Sequence, residues 1–171
     1  MTITFRKQKL FGARNSRGFT LLELMAAIAV LAILVAIAAP NFQRLIADQQ
    51  IRTAAETLQR TLLLARSEAI KRNGDVSIEA TDEGWHSGWS VRAGGSVSAG
   101  GVVVMQQDPL SGVEVDSTLA KITYSRTGRT TQASDLVMRI CSEPARGGTE
   151  RIVRIRITGM VEVERGDACP S

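Results

Sequence analysis

Few residues in this chain have side chains that could do chemistry. It has one histidine, His86, and two cysteines, Cys141 and Cys169. Those three cannot build a four-ligand zinc site without carboxylates or a second chain. No serine stands in a G-x-S-x-G frame, so a Ser-His-Asp arrangement around His86 has no nucleophile elbow. There is no P-loop, and no G-x-G-x-x-G after a strand. The carboxylates are scattered, without the spacing of a general acid–base pair. The pattern points away from an enzyme, and no metal or cofactor is expected. The cysteines, 28 positions apart near the C-terminus, fit one disulfide in an oxidising compartment. In the loop-entropy model that bond contributes about 3–4 kcal/mol.

One further charge stands out by its surroundings. From Phe19 to Ala39 the chain reads FTLLELMAAIAVLAILVAIAA, and Glu23 is its only charged residue. As a helix this run is about 30 Å long, the thickness of a bilayer core. Residues 1–18 hold Arg6, Lys7, Lys9, Arg14 and Arg17 and no acid, which places that end on the cytoplasmic side. A secretory signal peptide cut at Ala36-Ile37-Ala38 is the plainer alternative. Against it stand the length of the apolar run, the carboxylate inside it, and the string Arg17-Gly18-Phe19-Thr20-Leu21-Leu22-Glu23.

That string resembles the class III signal of type IV pilins and type II secretion pseudopilins. The resemblance implies cleavage by a prepilin peptidase between Gly18 and Phe19 and N-methylation of Phe19. It further implies a subunit-assembly role for Glu23, the fifth residue of the product, and for Pro40, which matches the proline that kinks pilin helices. A carboxylate in lipid needs a cation, and the freed amine of Phe19 on a neighbouring subunit would supply one.

These residues need a scaffold, and length and composition supply one. The chain has 171 residues, 44% hydrophobic and 22% charged, which is a globular composition. Its net charge of +4 belongs largely to the leader. Beyond residue 18 the chain keeps sixteen basic residues against all 17 acidic ones, which excludes a globally basic nucleic-acid binder as the default reading. A helix is predicted over 19–72, about 80 Å long, bent but not ended by Pro40. Leu45, Ile46, Ala54, Leu58, Leu62, Ala65 and Ala69 supply its apolar positions beyond the membrane, the last four at helical spacing. Asn73-Gly74 stops it. Alternation then predicts strands near 75–80, 87–92, 101–107, 120–124, 136–141, 150–158 and 160–164, separated by glycine-containing turns. Residues 93–101, rich in Gly, Ser and Ala, are expected to form a loop. Trp85 and Trp89 are expected in the core or a hairpin.

The head resembles the GspH/FimT-type minor pilins. The likeness rests on Leu64-Ala65-Arg66-Ser67-Glu68-Ala69-Ile70-Lys71-Arg72, on Gly84-Trp85 with Gly88-Trp89-Ser90-Val91, on Ile122-Thr123-Tyr124 with Thr127-Gly128-Arg129, and on Ile140-Cys141 with the late Cys169. It is weakest between residues 93 and 120. Some members of that family bind DNA through a Gly-Arg-x-Arg element, but the matching position here reads Gly159-Met160-Val161-Glu162. Alternation over Glu150–Thr158 puts Val153, Ile155 and Ile157 on one face and Arg154, Arg156 and Thr158 on the other. Arg154 and Arg156, with Arg129, are the candidate DNA contacts. Arg126, Arg139, Arg146, Arg151 and Arg165 could extend the patch, while Glu143, Glu150, Glu162 and Glu164 would blunt it. An exposed mixed-charge sheet face is the favoured reading.

The expected architecture is therefore α+β and type IV pilin-like, with a long N-terminal helix packed on a C-terminal antiparallel β head. Residues 1–18 form the leader, 19–40 the transmembrane helix, 41–74 the amphipathic helix and 75–171 the periplasmic head. The expected function is a minor pilin or pseudopilin that helps initiate or cap a type IV pilus or type II secretion pseudopilus. The alternative is a DNA-binding minor pilin acting in DNA uptake. The implied partners are other minor and major pilins or pseudopilins, the prepilin peptidase and the inner membrane, which the chain crosses once. Nucleic acid is not favoured.

Overall fold

The computed structural model describes residues 19–94, 100–142 and 147–169. Gly18 and the rest of the leader lie outside them, as do residues 95–99 of the expected glycine-rich loop, Glu143 and Arg146. The chain divides into two compact units, with the boundary between Ala38 and Ala39.

A single helix, α1 (Leu21–Arg72), opens the described chain. Its start is set by Thr20, whose Oγ1 accepts the Glu23 N–H at 3.2 Å while its carbonyl accepts the Leu24 N–H at 3.1 Å. That is an N-cap, and it leaves Phe19 outside the helix. The helical assignment runs through position 40. The end is a Schellman motif. Gly74 N–H bonds to the Ala69 carbonyl and Asn73 N–H to that of Ile70, with Asn73 at φ 52°.

Among the described residues eight strands follow: β1 (Val76–Thr81), β2 (Gly84–Ala93), β3 (Val102–Gln107), β4 (Val113–Ser117), β5 (Lys121–Tyr124), β6 (Leu136–Ser142), β7 (Thr149–Ile155) and β8 (Val161–Ala168). They form two antiparallel four-stranded sheets, ordered β3-β2-β1-β5 and β4-β6-β7-β8. Seven strands answer to the seven expected ones, β7 and β8 with shifted ends, and β4 has no expected counterpart. Its sequence, VEVDS, sets two acids among two valines, and acids are poor strand formers in isolation. It forms because β6 pairs with it from Val113↔Ser142 to Ser117↔Met138. β7 stops at Ile155 instead of 158 because Arg156–Gly159 closes a turn, with Gly159 N–H on the Arg156 carbonyl. Ile157 is accordingly exposed rather than inward. β8 runs on to Ala168 through polar residues, carried by pairing with β7 rather than by hydrophobic alternation.

Within the second unit, α1 lays Ile51, Ala54, Ala55, Leu58, Leu62, Ala65 and Ala69 into one core with residues of both sheets. The alanines let backbone and sheet approach closely. Val76, Ile78, Trp89, Val91, Ile122 and Tyr124 come from the first sheet. Val113, Leu136, Met138, Ile140, Val153 and Ile155 come from the second. Leu45 and Ile46 do not join this stripe and are exposed, because coverage of the helix begins at Ala47. Trp85 and Trp89 both lie in the core, their ring centroids 6.1 Å apart. Trp85 Nε1–H donates to the Leu119 carbonyl at 2.7 Å, which satisfies its buried polar end.

Candidate functional site

In the first unit, Leu21–Ala38 presents apolar side chains around its whole circumference. Phe19, Leu22, Met25, Ile33 and Ile37 are all exposed. By length and composition the helix could cross a membrane, with a mean hydropathy of 2.8 over its most apolar window. A helix apolar on every side is not stable facing water, so this surface calls for lipid or other chains. Glu23 is exposed in the first turn, and among the described residues its carboxylate makes no ion pair. Phe19 is exposed just ahead of the cap. Thr20 to Glu23 reads as the capping-box pattern Thr-x-x-Glu, a signal legible in the sequence that its pilin reading passes over.

In the second unit, Cys141 on β6 is bonded to Cys169 just after β8, with a Cα–Cα distance of 5.6 Å. Cys169 is buried, and its N–H donates to the Gly148 carbonyl at 3.0 Å. The bond thus ties the last described residue to a central strand. The loop before β7 is held to the helix as well. Asp48 Oδ1 accepts the Thr149 N–H at 2.7 Å across 101 residues.

The arginines singled out for DNA are divided. Arg154 and Arg156 do come together on the outer side of β7 and its turn, but both hold carboxylates. Arg156 reaches Glu162 at 3.1 Å and Asp135 at 3.4 Å, and Arg154 reaches Glu164 at 3.6 Å. The Glu162 hydrogen bond and charge hold the Arg156 guanidinium even more firmly protonated than usual. Arg139 likewise sits on Glu150 at 3.1 Å. The β7–β8 register that aligns Arg154 with Glu162 and Ile152 with Glu164 builds this neutral lattice. Arg129 is exposed in the turn after β5.

His86 is exposed at the start of β2, where its carbonyl accepts the Leu110 N–H at 2.8 Å. A cleft of about 510 Å³ lined by Thr118, Leu119 and residues 132–137 contains Asp135 but no histidine, cysteine or lysine. Another of about 340 Å³ lies between Glu79, Trp89, Arg92 and Gln106. Among the described residues no three histidine, cysteine or carboxylate side chains could share a metal ion.

The structure also joins two strings that are distant in sequence. The turn Ser125–Gly128 and the turn Arg156–Gly159 meet beneath α1 at Arg66 and Ile70. A Cβ on Gly128 would fall 2.7 Å from Ile70 Cδ1 and 3.1 Å from Arg66 Nε, and one on Gly159 would overlap the Gly128 carbonyl oxygen. Both glycines have positive φ, 74° and 83°. Tyr124 is buried beside this seam. Burial pushes its hydroxyl pKa well up, with the nearby Arg66 charge opposing in part. Glu68, two residues from Arg66 along α1, is held by Arg72 at 2.6 Å, a hydrogen bond that draws its carboxyl below the usual range.

Two family models match the chain. One, described as type II transport protein GspH, covers residues 54–160, and the prokaryotic N-terminal methylation motif covers residues 13–39. Among solved structures, the type IV minor pilin FimU of Pseudomonas aeruginosa aligns with TM-score 0.58 and 25% identity, over 68% of this chain and 89% of FimU. The minor pseudopilin EpsH of the Vibrio cholerae type II secretion system aligns with TM-score 0.52 and 16% identity, over 67% of this chain and 96% of EpsH, a likeness of fold. No curated protein matches the sequence.

Proposed function

The chain belongs to the GspH family of type II transport proteins and is a minor pilin or pseudopilin; from that premise we propose that it helps initiate or cap a type IV pilus or a type II secretion pseudopilus. Its family and fold are those of structural subunits that assemble with other pilins. One observation carries the reading. An apolar helical surface from Phe19 to Ile37 is left uncovered by its own unit, ahead of a separately packed head. Such a surface suits storage in a bilayer and then packing among identical helical segments.

In this reading the prepilin peptidase cuts between Gly18 and Phe19, and Phe19 is methylated on its new amine. The chain spans the inner membrane once, with the head in the periplasm, where the Cys141–Cys169 bond forms. Glu23 offers its carboxylate to the Phe19 amine of a neighbour, which neutralises both in a low-dielectric setting and sets axial register. The DNA-uptake alternative gains no support from Arg154 and Arg156, whose charge Glu162, Glu164 and Asp135 already take up.

The test is a clean deletion scored for surface twitching and for secreted enzyme activity together. Loss of either one alone assigns the subunit to that machine, and loss of neither defeats the proposal. A Glu23→Ala variant should be processed at Phe19 yet assemble poorly. Normal assembly of that variant removes the role given to Glu23.

A further inference from the structure

Arg66 is a cation without an anion. Its Nε is fully buried with no hydrogen-bond partner, and among the described residues its guanidinium forms no ion pair. Its neighbours three and four residues away on α1 are Leu62, Leu63, Ala69 and Ile70, all apolar. No carboxylate can therefore reach it by the spacing that joins Glu56 to Arg60 and Glu68 to Arg72. The two turns opposite add none. Ser125–Arg129 contains two more cations, Arg126 and Arg129, both exposed and, among the described residues, neither in an ion pair. The acid nearest in sequence to the second turn, Glu162, is committed to Arg156. This contrasts with the outer face of the second sheet, where Arg139, Arg154 and Arg156 each hold a carboxylate.

The same elements also expose apolar side chains. Ile70, which borders Gly128, is 52% exposed, Met160, which follows Gly159, is 53% exposed, and Leu63 is 45% exposed. A half-buried guanidinium on elements that also expose aliphatic side chains has the composition of a protein interface, where arginine anchors sit among desolvated apolar contacts. Guanidinium also matches a carboxylate in planar, two-pronged geometry. A sugar-phosphate chain would take the cations but find nothing to do with Ile70, Leu63 and Met160.

We infer that this seam is a docking socket for an acidic side chain on a neighbouring filament subunit. Arg66 takes the carboxylate, Arg126 and Arg129 attract the acidic surface around it, and Ile70 and Met160 cover its aliphatic flank. The inference rests on the reading of the chain as a filament subunit, and its test separates the two.

Full-length protein is expressed in cells that build the filament, with a photoreactive amino acid at Ile70 or, separately, at Ile28 in the apolar helix. The expected result is a crosslink from position 70 to another pilin-type subunit, at a peptide containing Asp or Glu. Arg66→Gln should lower that yield about tenfold. Met160→Glu, an exposed change on the turn that leaves the core intact, should lower it similarly by repelling the acid. Arg66→Glu combined with an arginine at the mapped acid should restore it. An unchanged yield at 70 in both Arg66→Gln and Met160→Glu overturns the socket. So does a crosslink from 70 to nucleic acid, or none at all, while position 28 still crosslinks to pilin helices. Loss of crosslinks at both positions in the otherwise unaltered protein overturns the filament reading too.

Discussion

Trp89 Nε1–H donates to Thr61 Oγ1 at 3.3 Å, with both residues almost wholly buried. The Thr61 hydroxyl passes the chain on, donating to the Thr57 carbonyl at 3.0 Å. This two-step bond links the long strand β2 to α1 through the centre of an otherwise apolar cluster. It explains why a hydroxyl stands on the buried stripe of the helix, among alanines and leucines.

Thr61→Val keeps the shape and removes the acceptor, leaving the indole N–H unsatisfied. It should destabilise the fragment 41–171 by about 1–3 kcal/mol in urea denaturation. Trp89→Phe in the Thr61→Val background should cost less than it does alone, because the orphaned donor is gone. Strictly additive costs would show that the bond contributes nothing.

Gly159→Ala should be far more damaging than Gly94→Ala. Both glycines have positive φ, which costs a side chain about 1–2 kcal/mol. At Gly94 the added methyl meets nothing within 4 Å. At Gly159 it strikes the Gly128 backbone, so the two turns must separate and the cost should exceed about 4 kcal/mol. Thermal denaturation of the two variants decides. Equal effects would mean the turns do not interlock.

The head should lose stability in alkali through Tyr124. Burial raises its folded pKa, so the folded state keeps the proton where the unfolded chain releases it, near pH 10. The stability due to the neutral hydroxyl is therefore undiminished below about pH 10 and falls as pH rises beyond it. Tyr124→Phe should flatten that decline between about pH 10 and 11. An unchanged slope in the variant would mean Tyr124 ionises without unfolding.

Reducing Cys141–Cys169 should destabilise the head by about 3–4 kcal/mol, from the 28-residue separation it closes. Because the bond holds residue 169 against β6, hydrogen exchange should speed up first in β8. Uniform acceleration across both sheets would contradict a local role.

Much of this molecule could be read from short-range pattern, and the reason is physical. The span from Leu21 to the Asn73-Gly74 stop follows from apolar run length, 3.6-residue periodicity and cap chemistry, each settled within a few residues. Alternation and glycine turns placed seven strands, and both tryptophans fell in the core as their size demands. β4 escaped because its stability comes from pairing with β6, which its own residues do not announce. The far end of β8 escaped for the same reason, and β7 ended early because the Arg156–Gly159 turn closes after Ile155. At the candidate site, composition along the chain shows many arginines but not their partners. Only the β7–β8 register decides that Arg154 and Arg156 are neutralised. Only the meeting of two glycine turns beneath α1 decides that Arg66 is not. Local sequence determined the elements, because helices, turns and alternating strands answer to neighbouring residues. Which charges meet, and which are left unpaired, depended on contacts between residues far apart in the chain, and so on the tertiary structure alone.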